Sequence, residues 1–157
     1  MTLAAILAAA MLAAVSPAAP AVVTAQIANL KQVDRFAKLP QPIVAGRFTV
    51  DGTSAAGWKM AEPGGAFSAT DVPVPGAPGR RMIFAGCSSQ LCLIHYERGG
   101  VAHFYEILAL SAEAGGWRVV WNACGVSRIA SLAALQALLA RPASFDAWSR
   151  PCVKGDF

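Results

Sequence analysis

Apolar positions follow several different regimes along the chain. Leu3 to Val15 is an unbroken apolar run of 13 residues. From Gln26 to Leu39 the pattern turns amphipathic. Ile27, Leu30, Val33 and Ala37 recur at spacings of three and four, with Lys31, Asp34, Arg35 and Lys38 off that stripe, so a helix is expected over 26–39. Pro40 and Pro42 end it. Val44–Val50 alternates, with Val44, Phe48 and Val50 on one side and Arg47 and Thr49 on the other, as a half-buried strand does. Asp51–Arg80 holds six glycines and four prolines and reads as surface loop, with short strands expected around 58–60 and 66–68.

Beyond Arg81 the pattern becomes regular. Met82–Ala85, Leu91–Glu97, Val101–Leu110 and Trp117–Ala123 are strand-like runs separated by turn signals at 86–90, Gly99-Gly100 and 114–116. Ser131 is placed to cap a helix over Leu132–Arg141, with Leu132, Leu135, Leu138 and Leu139 on its apolar face and Pro142 after it. The fold class is therefore α+β: an antiparallel β-meander of about five or six strands, with an N-terminal and a C-terminal helix packed on one face.

Composition changes the picture at the N-terminus. The chain is 55% apolar and only 14% charged, which would suit a membrane protein. Yet residues 1–25 carry no charge, and 20 of the 25 are apolar. The run of 13 is short for a membrane span of about 20 residues, and Pro17 and Pro20 interrupt any extension of it. Ala19-Pro20-Ala21 and Val23-Thr24-Ala25 both offer small residues for cleavage, so 1–25 reads as a secretory signal peptide that is removed. Residues 26–157 then form a single domain, periplasmic or secreted, with no integral span.

Four cysteines, Cys87, Cys92, Cys124 and Cys152, fit a disulfide framework in an exported chain. Three pairings exist for four cysteines, and local closure favours Cys87–Cys92 with Cys124–Cys152. A metal site using cysteines with His95 and His103 is the rival, but structural zinc sites use two tight ligand pairs and only one is present. The net charge of +4 is scattered, and Arg80-Arg81 is the only adjacent basic pair, so no nucleic-acid partner is expected.

Candidate chemistry centres on the hairpin. With a two-residue Gly99-Gly100 turn, His95 opposes Phe104 and the histidines fall on opposite faces. With a three-residue turn, His95 opposes His103, close enough to share a proton or metal. In the two-residue register Glu97 and Glu106 share a face about 13 Å apart, too far for a glycosidase pair. Cys92 precedes His95 by three residues and points to the other face. No nucleophile elbow, P-loop or dinucleotide fingerprint occurs, and no cofactor is expected. Trp58, Trp117, Trp121 and Trp148 read as packing residues.

The stretch Arg80-Arg-Met-Ile-Phe-Ala-Gly-Cys87, followed by Cys92-Leu-Ile-His-Tyr-Glu-Arg-Gly-Gly-Val-Ala-His103, resembles a recurrent pattern in small exported bacterial proteins of unknown function. Gly57-Trp-Lys-Met-Ala-Glu-Pro-Gly-Gly and Phe67-Ser-Ala-Thr-Asp71 extend it. The resemblance implies a single exported domain and no particular activity. Periplasmic lysozyme inhibitors are similar in size, export and β content, but their Ser-Gly-x-x-Tyr loop signature is missing. The leading expectation is an exported, non-enzymatic domain that binds an envelope protein or ligand through Arg80, Arg81, His95, Glu97, Arg98 and His103, at the hairpin tip or the 62–80 loop. The alternatives are a small periplasmic hydrolase or metal-dependent enzyme using His95, His103 and a glutamate, and an inhibitor of a periplasmic enzyme.

Overall fold

The computed structural model describes residue 19, residues 21–141 and residue 148. The expected signal segment, apart from Ala19 and 21–25, and the expected partner cysteine Cys152 lie outside the described residues. The fold is α+β. Seven strands form one sheet in the order β1-β4-β5-β6-β7-β2-β3. They are β1 (Lys31–Val33), β2 (Phe48–Val50), β3 (Thr53–Ser54), β4 (Arg80–Cys87), β5 (Leu91–Arg98), β6 (Phe104–Glu113) and β7 (Gly116–Gly125). All pairings are antiparallel except β2 with β7.

The β4–β7 meander follows the expected order. Long β-branched and aromatic runs suit a pleated surface, and Ala114-Gly115 turns the chain between Glu113 and Gly116. Cys87 and Cys92 face each other across the β4–β5 turn and are bonded. Within that turn the Ser88 hydroxyl accepts from the backbone N–H groups of Gln90 and Leu91. Cys124 also takes part in a disulfide. In the chain-entropy account, a bond closing so short a loop contributes about 2 kcal/mol. The Cys87→Ala, Cys92→Ala double variant is therefore expected to lower the unfolding free energy by about that amount in chemical denaturation. An unchanged midpoint would show that the staple adds nothing.

The N-terminal third departs from expectation. In place of a helix over 26–39, α1 (Ala21–Gln26) is followed by a 3₁₀ turn at Ile27–Asn29, then β1, then a second 3₁₀ turn at Phe36–Lys38. The reason lies in the spacing. Ile27, Leu30, Val33, Phe36 and Leu39 repeat every three residues, and on an α-helix such a series drifts by about 60° per step. Short 3₁₀ and extended pieces bury Ile27, Leu30, Phe36 and Leu39 as one helix could not. The expected strand 44–50 is α2 (Gln41–Val44) with Pro42 in its first turn, and only Phe48–Val50 is extended. Residues 58–60 and 66–68 form no strand, although Trp58 and Met60 are core residues and Ala61 makes a single parallel bridge to Arg81.

Both faces of the sheet are covered, not one. On the first, α1, the 3₁₀ turn and α3 (Leu132–Leu139) pack Val23, Ile27, Leu30, Leu132, Leu135 and Leu139 against Phe84, Leu91, Leu93 and Ile107. The Ser131 hydroxyl accepts from Ala134 N–H and caps α3 as expected. On the second face, Phe36, Leu39, Ile43, Phe48 and Trp58 cover Met82, Cys92, Ile94 and Leu108. Burial on both sides explains why Leu91-Cys-Leu-Ile reads as a continuous apolar run. Of the four tryptophans, Trp58 and Trp148 are buried and Trp117 and Trp121 half-buried, all packed in or against these cores or a ring within them.

Candidate functional site

The charged candidates gather where β4 begins and β5 ends. Neither expected hairpin register occurs. Arg98 pairs with Phe104, Glu97 with Tyr105, Tyr96 with Glu106 and His95 with Ile107, leaving Gly99–His103 as a five-residue loop. The cause is a contact distant in sequence. Gly99 N–H donates to Gly79 of β4's approach, and a Cβ on Gly99 would lie 1.9 Å from the Ser68 carbonyl oxygen. Gly99 is thus committed to the 62–80 segment and does not serve as a tight turn. The register differs from the two-residue expectation by an odd number, so Glu97 and Glu106 lie on opposite faces, not the same one.

On the second face Glu106, Tyr96 and Arg98 form a buried set. The Tyr96 hydroxyl donates to Glu106 Oε2. Arg98 Nε lies 2.7 Å from Glu106 Oε1, a contact whose direction makes it an ion pair more than a hydrogen bond. Burial, reinforced by the Glu106 carboxylate, pushes the Tyr96 hydroxyl well above the usual phenol range, so it remains a donor. Trp58 meets the Tyr96 ring edge-on at 6.2 Å.

On the first face Glu97 holds two partners. Arg81 Nε donates to Oε1 at 2.6 Å, and His103 Nε2 lies 3.0 Å from Oε2. Arg81 also donates to the Gly65 carbonyl at 3.1 Å, and its guanidinium sits 4.4 Å from the centre of the Phe67 ring. That ring is 6.1 Å from His103, which in turn lies 5.2 Å from Tyr105. The set therefore ties the hairpin loop, through His103, and the 62–80 loop, through Gly65 and Phe67, to one carboxylate.

His95 is fully buried, and both ring nitrogens are used. Ile129 N–H donates to Nε2 at 3.1 Å, so Nδ1 carries the proton and donates to the Glu106 carbonyl at 2.9 Å. Burial holds the imidazole down to about 4. With Phe84, Tyr105 and Trp148 around it, His95 acts as a neutral pin between β6 and the segment after β7. Tyr105 stands between His95 and His103, and the two histidines share no ligand. Cys92 points to the face opposite His95.

Of the six proposed contact residues, Arg80, Arg81, Glu97, Arg98 and His103 come to one end of the sheet, and His95 lies in mid-strand: Glu97 holds Arg81 and His103, Arg98 joins Glu106 and Tyr96 with Arg80 opposite it on β4, and His95 is buried apart from both sets. Arg80 and Arg98, with Gly99, Val101 and Phe104, line a groove of about 720 Å³ beside the loop. Among the described residues no three His, Cys, Asp or Glu side chains converge as metal ligands, and no helix is long and apolar enough to cross a membrane. Sequence reading missed Tyr96, Phe67 and Glu62, whose carboxylate accepts from the Phe36 and Ala37 N–H groups at 2.7 and 2.9 Å. Tyr96 lies two residues before Arg98, a same-face spacing on a strand that could have revealed it. No family model, no curated protein and no solved structure matches this chain.

Proposed function

We propose that this chain is an exported, non-catalytic binding domain whose contact surface is the end of the sheet where the hairpin loop 99–103 meets the 62–80 loop. The observation that carries this reading is the junction itself. Gly99 is packed on Ser68, and the Arg81–Glu97–His103 set joins both loops. Two segments that could each have been loose decoration are one continuous surface, from which Val72, Val74 and Val101 project into solvent, Val101 at 97% exposure. Exposed apolar side chains beside arginines suit contact with a protein or ligand of the envelope. The internal engagement of His95, Glu97 and Glu106 supports a binding role over a hydrolytic one, because a general base needs a lone pair free to meet substrate. Inhibition of a periplasmic enzyme is one form such binding takes. Nucleic acid is not among the partners proposed, since the +4 charge is not gathered into a stripe.

The test is photo-crosslinking in cells. A photoreactive residue at Val74 or Val101 is expected to yield adducts of higher mass, whereas one at Ala114, at the opposite end of β6, is not. Equal labelling at the two ends, or none at Val74 and Val101, would overturn the assignment.

A further inference from the structure

The N-terminal element bears on how the chain is matured. Resting on the reading that it is exported, we infer that processing cuts the Ala21–Val22 bond, within the first turn of α1, so that the mature domain begins at Val22 and keeps Val23, and does not begin at Gln26. Both bonds satisfy the small-residue requirement at the −3 and −1 positions: Ala19 and Ala21 for the first, Val23 and Ala25 for the second. Local sequence therefore leaves the choice open, and the folded domain's use of Val23 favours the first bond.

Val23 is 0% exposed and belongs to the first-face core with Ile27, Leu30, Leu132, Leu135 and Leu139. It is the one buried residue of α1, while Val22 beside it is exposed. Cleavage after Ala25 would remove Val23 and leave a void lined by leucine and isoleucine side chains. It would also place a new α-ammonium on Gln26, one residue from Ile27. Ile27 is itself buried, and its carbonyl accepts from Gln136 Nε2 of α3 at 2.7 Å. Cleavage after Ala21 leaves Val23 in its socket and places the new ammonium at the exposed end of α1. The chemistry is a hydrolysis by the host's signal peptidase: water is added across the Ala21–Val22 amide, its oxygen going to the Ala21 carbonyl carbon and its protons to the nitrogen, giving a carboxylate on Ala21 and the α-ammonium of Val22.

Full-length chain expressed in a secreting bacterium and recovered from the periplasm is analysed by intact mass and N-terminal sequencing. A Val22 terminus is expected. Ala25→Leu is expected to leave that terminus unchanged, because position 25 then lies within the mature chain, whereas Ala21→Leu, which enlarges the −1 residue, is expected to abolish it. A Gln26 terminus, or loss of processing in Ala25→Leu, would overturn the inference while leaving export intact. An uncleaved wild-type chain retained in the cell would overturn the export reading itself. A second measurement is independent of processing. Chain produced from Val22 onward is expected to melt several degrees higher than chain produced from Gln26 onward, and equal midpoints would remove the packing argument.

Discussion

Glu106→Ala is expected to destabilise the domain by about 3–5 kcal/mol, the range for breaking a buried pair by removing one partner. The loss has two parts. The Tyr96 hydroxyl, on a fully buried ring, loses its acceptor, and burial with a raised pKa prevents it from escaping as a phenolate. The Arg98 guanidinium, whose side chain is 16% exposed, loses the carboxylate at 2.7 Å. Glu106→Gln separates the parts, since an amide oxygen still accepts from Tyr96 while the charge opposite Arg98 is gone. Urea denaturation of wild type and both variants is expected to rank them wild type, Gln, then Ala. If Ala costs less than about 1 kcal/mol, the Glu106 carboxylate contributes no more than an exposed ion pair does and the buried-network account fails. The Tyr96→Phe variant tests the same hydrogen bond from the other side and is expected to cost about 1 kcal/mol.

How far the sequence spoke depends on whether local pattern or distant contact determined each element. The strands β4 to β7 and the helix α3 were legible because each is long enough for its periodicity to show, and because Ser131, Gly115-Gly116 and the Cys87–Cys92 spacing punctuate them locally. The segment from Ile27 to Val50 was not. Its elements run three or four residues each, and a three-residue spacing of apolar positions fits a broken helix as well as the 3₁₀ and extended pieces that occur. The hairpin at Gly99 failed for a different reason. Gly-Gly is a sound local signal for a tight turn, but Gly99 lies against Ser68, more than thirty positions away, and that contact outweighs the turn preference. The error then passed to the site. Shifting the register by an odd number moved Glu106 from the face of Glu97 to that of Tyr96, from whose hydroxyl it accepts. Five of the six candidate residues lie at one end of the sheet, with His95 in mid-β5. Their division into a loop tie, a buried ion pair and a neutral pin came only from the fold.

His95 gives the domain a pH dependence that one variant can isolate. In the folded chain burial holds its imidazole at about 4, while an exposed histidine titrates near 6.5. Above pH 6.5 the ring is neutral in both states and the native hydrogen bonds to Ile129 and Glu106 contribute in full. Between pH 6.5 and 4 the unfolded chain takes up a proton that the folded chain refuses, so stability falls as pH falls. The slope is about 1.4 kcal/mol per pH unit, and the whole window removes about 3 kcal/mol. Protonation of the folded ring at lower pH would put a second donor against the Ile129 N–H, which already points at Nε2, so the native geometry offers the proton no acceptor. His95→Leu removes the titration and also leaves the Ile129 N–H and the Glu106 carbonyl unpaired in the core, a loss of about 2–4 kcal/mol at pH 7. The difference in unfolding free energy between wild type and variant is therefore expected to be largest at neutral pH and to shrink steadily from pH 6.5 toward 4, while His103, present in both, cancels. If the two curves run parallel through that window, His95 is not a buried neutral ring and the pin it forms between β6 and the segment after β7 does not exist.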